Sequence, residues 1–143
     1  MPRITIAEHD IAPGERRRLE IPVARLVTET WLSLPVEVVN GKRPGPTIWL
    51  SAAVHGDELN GVEIIRQVLD RISAANFHGC LIAVPIVNVF GFVEQSRYLP
   101  DRRDLNRSFP GSPRGSLASR LAHLFMTEIV SRCQLGLLSM DGD

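Results

Sequence analysis

The sequence predicts an α/β fold, a mixed and largely parallel sheet flanked by helices, on three observations. Residues 47–54 (TIWLSAAV) form an unbroken apolar run, as expected of a strand covered on both faces. Residues 80–87 (CLIAVPIV) form a second such run. Between them, residues 59–72 place Val62, Ile65, Leu69 and Ile72 at helical spacing, with Arg66, Asp70 and Arg71 elsewhere on the wheel. A strand–helix–strand unit of this kind sets its two strands parallel through a right-handed crossover.

The other elements follow from local chemistry. Residues 3–8 and 16–24 read as short strands, with Pro13-Gly14 as the turn between them. Residues 30–39 alternate loosely and are rich in β-formers, and the segment 40–46 (NGKRPGP) closes them as a turn. These pieces predict an antiparallel or mixed edge to the sheet. A long segment, 88–115, is rich in Pro, Gly, Arg and Asp, and loops of that length in a compact domain are commonly functional. Ser116 is placed to cap a helix whose apolar face is Leu117, Leu121, Leu124, Phe125 and Ile129. Residues 135–140 begin another strand. The remaining apolar residues read as packing: Trp31 and Trp49 in strands, Phe125 and Met126 on the helix.

Composition narrows the class. The chain has 143 residues, 44% hydrophobic and 22% charged, within the range of one globular domain. Sixteen basic residues balance sixteen acidic ones, so no overall field attracts nucleic acid or an anionic membrane. The one basic cluster, Arg16-Arg17-Arg18, reads as a solvated strand face. No run is long and apolar enough to span a bilayer, since residues 81–93 are broken by Pro85, Asn88 and Gly91. The first residues lack the basic-then-apolar order of a signal peptide. Cys80 and Cys133, each in an apolar setting, suit reduced thiols in a cytoplasmic protein.

Two clusters carry chemistry. The apolar run 47–54 leads directly into His55-Gly56-Asp57-Glu58. In open α/β sheets ligands collect where strands end and loops lead into helices. An imidazole and a carboxylate three residues apart at that edge can converge on one ion, and nitrogen plus oxygen donors suit Zn2+. The same four residues also suit a plain helix N-terminus, with Asp57 and Glu58 answering the macrodipole. The second cluster lies after the next apolar strand: Ser96-Arg97-Tyr98 and Asp104-Leu105-Asn106-Arg107. Guanidinium groups bind carboxylates bidentately and stabilise developing negative charge, although arginines in a loop also form surface ion-pair networks.

In this order, HGDELNG, SRY and DLNRSFPG resemble the succinylglutamate desuccinylase/aspartoacylase family, relatives of the zinc carboxypeptidases, over roughly residues 13–133. The resemblance implies a zinc carboxypeptidase-like fold and the hydrolysis of an N-acyl amino acid, a small carboxylate substrate. It implies that His55 and Glu58 are two of three zinc ligands, and that Asp104 orients His55. It further implies that Asn106 and Arg107 hold the substrate carboxylate, and that Arg97 polarises the scissile carbonyl.

The resemblance stops near Cys133. A third ligand, a histidine in an Asp-x-His, is expected on the following strand, and a general-base glutamate beyond it; residues 134–143 (QLGLLSMDGD) hold neither. His9, His78 and His123 are poor substitutes by position. The expectation is therefore a single incomplete domain, with residues 1–45 a β segment and 46–143 the α/β core, truncated after its second major helix. Such a chain would bind zinc weakly and hydrolyse little. A sheet cut in this way leaves an apolar edge open to self-association. The competing expectation is a non-catalytic α/β module that at most binds a small carboxylate or another chain.

Overall fold

The computed structural model describes residues 1–25, 31–52, 60–85, 111–114 and 116–139. A two-residue turn at Ala7-Glu8, both with positive φ, joins β1 (Ile4–Ile6) to β2 (His9–Ile11) in an antiparallel hairpin. The single strand expected over residues 3–8 is thus split. The cause is local: Ile6 pairs with His9, leaving Ala7 and Glu8 as the turn. The turn at Pro13-Gly14 forms as expected, with Gly14 at φ 82°.

Five further strands make one sheet: β3 (Glu15–Arg25), β4 (Trp31–Asn40), β5 (Arg43–Ala52), β6 (His78–Val84) and β7 (Leu135–Ser139). Their order is β3-β4-β6-β5-β7. The β3–β4 and β4–β6 pairings are antiparallel, whereas β5 runs parallel to β6 on one side and to β7 on the other. The sheet is therefore mixed, with its parallel part built around β5. Helix α1 (Asn60–Arg71) is the crossover from β5 to β6.

The expected turn over 40–46 is shorter than the sequence suggested. β5 already begins at Arg43, but its register with β6 shifts between Arg43 and Thr47. That irregular start accommodates Pro44 and Pro46, which cannot donate to a ladder. Pro35 is accommodated similarly, lying outside the stretch of β4, Glu37 to Asn40, that pairs with β6.

Each face of the sheet carries a packed apolar cluster. Ile48, Leu50 and Ala52 of β5, with Leu81 and Ala83 of β6, pack under Ile65 and Leu69 of α1. The opposite residues, Cys80, Ile82 and Val84 with Leu34, Val36 and Val38, pack against α2 (Leu117–Glu128) and the β1–β2 hairpin. Strand alternation thus sends successive residues to two cores. The Ser116 hydroxyl accepts from the Ser119 N–H at 3.1 Å and caps α2. At the other end of α2, Glu128 accepts from the Ala7 N–H at 2.8 Å and holds the hairpin turn.

The arginine cluster is more than a solvated face. Arg16 and Arg18 both pair with Glu37 of the neighbouring strand, whose side chain is only 10% exposed. Arg16 also donates to the carbonyls of Leu69 (2.8 Å) and Ile72 (3.4 Å), the free carbonyls at the end of α1. One guanidinium thereby ties β3, β4 and the crossover helix together.

Gly136 in β7 is required by packing. A Cβ there would fall inside the ring of Trp49, which also meets Phe125 edge-on at 6.5 Å and 84°. Gly136→Ala is expected to lower stability by about 1–3 kcal/mol, the usual cost of overpacking, measured by urea unfolding.

Candidate functional site

The two motif segments leave the sheet from adjacent strands. β5 ends at Ala52 and α1 begins at Asn60, so the connection 53–59 carries His55 and Glu58. β6 ends at Val84, and the segment 86–110 carries Arg97, Asp104, Asn106 and Arg107. In the parallel register Ser51 is opposite Val84, so both segments depart at one level of the same edge. Ala52 is opposite Ser139, which brings the carboxyl end of β7 to that edge as well. Three parallel strands thus end side by side, the arrangement at which α/β sheets bind ligands. All six candidate side chains themselves lie outside the described residues.

The described side chains offer no competing metal centre. No group of three His, Cys, Asp or Glu among them could hold an ion. His78 opens β6 at the opposite, amino edge, and His9 belongs to the hairpin. The His123 ring is 3.4 Å from the Thr127 hydroxyl on the surface of α2. A cavity of about 260 Å3 between Pro2, Asn40, Thr47 and Arg132 also lies at the amino edge, away from the strand ends.

The thiols are held neutral. Burial pushes Cys80 up to about 12, with nearby Cys133 adding to the rise. Burial pushes Cys133 up to about 11, against the lowering influence of Arg132. Both cysteines are free. Neutral thiols are poor nucleophiles and poor metal ligands, so neither suits the chemistry of this site.

Beside the carboxyl edge, on the α1 face, a groove of about 290 Å3 runs between Pro35, Glu37, Val62, Arg66 and Pro85. Arg66 is occupied by Glu63, whose carboxyl its hydrogen bond holds down to about 2, with Gln67 contributing. No local pattern signals this groove, because it forms between α1 and parts of β3 and β4 that are distant in sequence. Nor does one single out Ser51, a fully buried serine at the end of β5.

The sequence profile of the succinylglutamate desuccinylase/aspartoacylase catalytic domain matches residues 44–137, more than half of the chain. The chain belongs to this family. Its matched region runs from the start of β5 through the crossover, β6 and α2 into β7, the part of the fold that builds the carboxyl edge. The N-α-acetyl-L-2,4-diaminobutyric acid deacetylase of Halomonas elongata is 37% identical over 98 residues, 68% of this chain and 28% of that one. The crystal structure of a succinylglutamate desuccinylase/aspartoacylase from Rhodobacter sphaeroides superposes with a TM-score of 0.79 at 31% identity, covering 87% of this chain and 39% of that one. A product-bound structure of the ectoine utilization protein EutE (DoeB) from Ruegeria pomeroyi gives 0.77 at 31% identity, covering 86% and 39%. The chain therefore spans between a quarter and two fifths of these relatives' length. No helix among the described residues is long and apolar enough to cross a membrane.

The folded pKa values of both thiols lie above their ordinary value of 9.0. Their stabilising contribution is complete below about pH 9 and is lost as pH rises through 11 and 12. Stability measured by denaturant titration should fall over that window, and a disulfide reagent at pH 8 should modify the native thiols far more slowly than the unfolded ones.

Proposed function

We propose that this chain carries the first part of a zinc-dependent amidohydrolase site that releases the acyl group from an N-acyl amino acid. The family match over residues 44–137, on a sheet whose parallel strands deliver both motif segments to one edge, is the observation that carries this reading. The Halomonas relative, a deacetylase of N-α-acetyl-L-2,4-diaminobutyric acid, supports the substrate class.

In this reading the imidazole of His55 and the carboxylate of Glu58 hold the metal, a donor set whose chemistry fits Zn2+. Zinc would supply a water acidified to a pKa near ~7 and a polarised carbonyl. Asp104 orients the His55 ring by accepting from its second nitrogen. Arg97 stabilises the charge that develops on the scissile carbonyl oxygen, and Asn106 with Arg107 grips the free carboxylate of the amino acid. Cytoplasmic placement agrees with two free thiols, the oxidation state kept in that compartment.

Two zinc ligands, not three, are legible in these 143 residues, whose last histidine is His123. The 143-residue chain by itself is thus expected to bind zinc weakly through His55 and Glu58, and to hydrolyse N-acetyl amino acids slowly or not at all. Competition titration against a chromogenic chelator, with His55→Ala beside the wild type, measures this. Tight one-to-one binding lost in His55→Ala would show that a third ligand is present. Binding unchanged by the substitution would remove His55 from the site.

The β7 edge carries a second expectation. Leu135–Ser139 (LGLLS) has no charge, no proline and no register shift, and Leu135 is 67% exposed. The opposite edge strand, β3, is guarded by Arg16, Arg17, Arg18 and a bulge near Pro22. Self-association through β7 should appear in light scattering as a mass that rises with concentration. Leu135→Lys should return the chain to monomer; a wild-type chain that stays monomeric throughout removes the proposal.

A further inference from the structure

The groove beside the carboxyl edge has walls of one chemical character. Pro35 of β4, Val62 and Leu69 of α1, and Pro85 just beyond β6 give it an apolar surface. Pro35, Val62 and Pro85 are only half-buried, so a ligand lying on them would take apolar surface out of water. Neither proline has a backbone N–H, so this wall offers an anion no main-chain donor there. At about 290 Å3 the groove stands near the lower end of the range for small-molecule sites, room for a short carbon chain and one polar head.

Charge decides what that head is. Four charged side chains line the groove, Arg18, Glu20, Glu37 and Arg66, and three of them are engaged. Glu37 accepts from Arg16 at 2.6 Å and from Arg18 at 3.2 Å. All three guanidinium nitrogens of Arg66 face Glu63 or Asp70. Glu20 differs: among the described residues no hydrogen bond or ion pair engages its carboxylate. Its neighbours Leu19 and Ile21 belong to the α2 core, so alternation sets Glu20 on the α1 face. There it stands opposite Pro35 in the β3–β4 register, against the apolar wall. Arg18, two residues along the same face, is turned to Glu37 instead.

We propose that this groove binds a small primary alkylammonium, whose ammonium group pairs with the Glu20 carboxylate while its alkyl stem lies against Pro35, Val62 and Pro85. The assignment rests on the described groove alone and is independent of the zinc reading. An exposed ion pair contributes little by itself, and a short stem adds a modest apolar gain. Binding is therefore in the millimolar range and needs both halves of the ligand at once.

The test is an amide NMR titration of the 143-residue chain with n-butylammonium at constant ionic strength. Methylammonium, n-butanol and butyrate are titrated beside it, the first lacking the stem, the second the charge and the third reversing the charge. n-Butylammonium should shift the amides of Glu20, Val62 and Leu69 saturably, and the other three should bind more weakly. Glu20→Gln should keep the wild-type melting temperature and weaken n-butylammonium about fivefold, the upper range for an exposed ion pair. Unchanged affinity in Glu20→Gln overturns the proposal, as does n-butanol or methylammonium binding as well as n-butylammonium. Butyrate binding as well or better would assign the groove to Arg18 and overturn it too. An absence of saturable shifts at these amides in the wild type is equally fatal, and the comparison of ligands stands whether or not Glu20→Gln folds.

Discussion

The parallel pairing of β5 with β6 is the constraint on which the rest of this molecule depends. It demands a crossover that returns the chain to the same end of the sheet, and α1 is that crossover. It also demands that β6 start close against the beginning of β5. Gly79 makes this possible: it sits at φ 100°, and a Cβ there would strike the carbonyl of Pro46. The N–H groups of Gly41, Lys42 and Arg43 reach carbonyls of Gly79, Ala74 and Phe77, stitching the strand starts to the end of the crossover. From Thr47 opposite Cys80 onward the two strands run in register, and their pairing ends at one level, at Ser51 and Val84.

The remaining contacts hold that register in place. Arg16 reaches across β4 to Glu37 and onward to the last carbonyls of α1, so the outer antiparallel strands and the crossover helix cannot shift independently. A mostly buried carboxylate between two guanidiniums adds little net stability over an apolar replacement, but losing one partner is costly, which makes the geometry specific. On the other face α2 lies on the sheet through Leu121, Phe125 and Ile129, while Glu128 and Arg132 bind the hairpin backbone at Ala7 and Thr5. The described scaffold is thus packed on both faces, and the candidate site residues fall in its connections, where binding residues are often found.

Much of the fold was legible because its signals are local. The two apolar runs, the helical spacing of Ile65 and Leu69, the Ser116 cap and the Pro13-Gly14 turn each act within a few residues and form close to where expected, although β6 ends at Val84, short of Pro85, and residues 53, 54, 86 and 87 lie outside the described residues. Where the reading failed, a non-local term decided. Pro44-Gly45-Pro46 reads as a turn, but pairing with β6 draws the chain into β5. Arg16 and Arg18 are exposed, as read, but the sequence did not reveal that both pair with a carboxylate nineteen or more residues away. For the candidate site the sequence supplied residue types and their order, His55 and Glu58 before Arg97, Asp104, Asn106 and Arg107. The structure supplied the shared edge from which both segments leave.

By itself the sequence determined the α/β class, the strand–helix–strand unit, the family and the chemical character of the candidate site. These depend on residue identity and short spacing, which the chain carries without folding. Only the tertiary structure decided the strand order β3-β4-β6-β5-β7, the common level at which β5 and β6 end, and the burial of Ser51. The physical reason is that strand neighbours and buried polar groups arise when distant segments compete for the same partners, and local propensity contains no record of that competition.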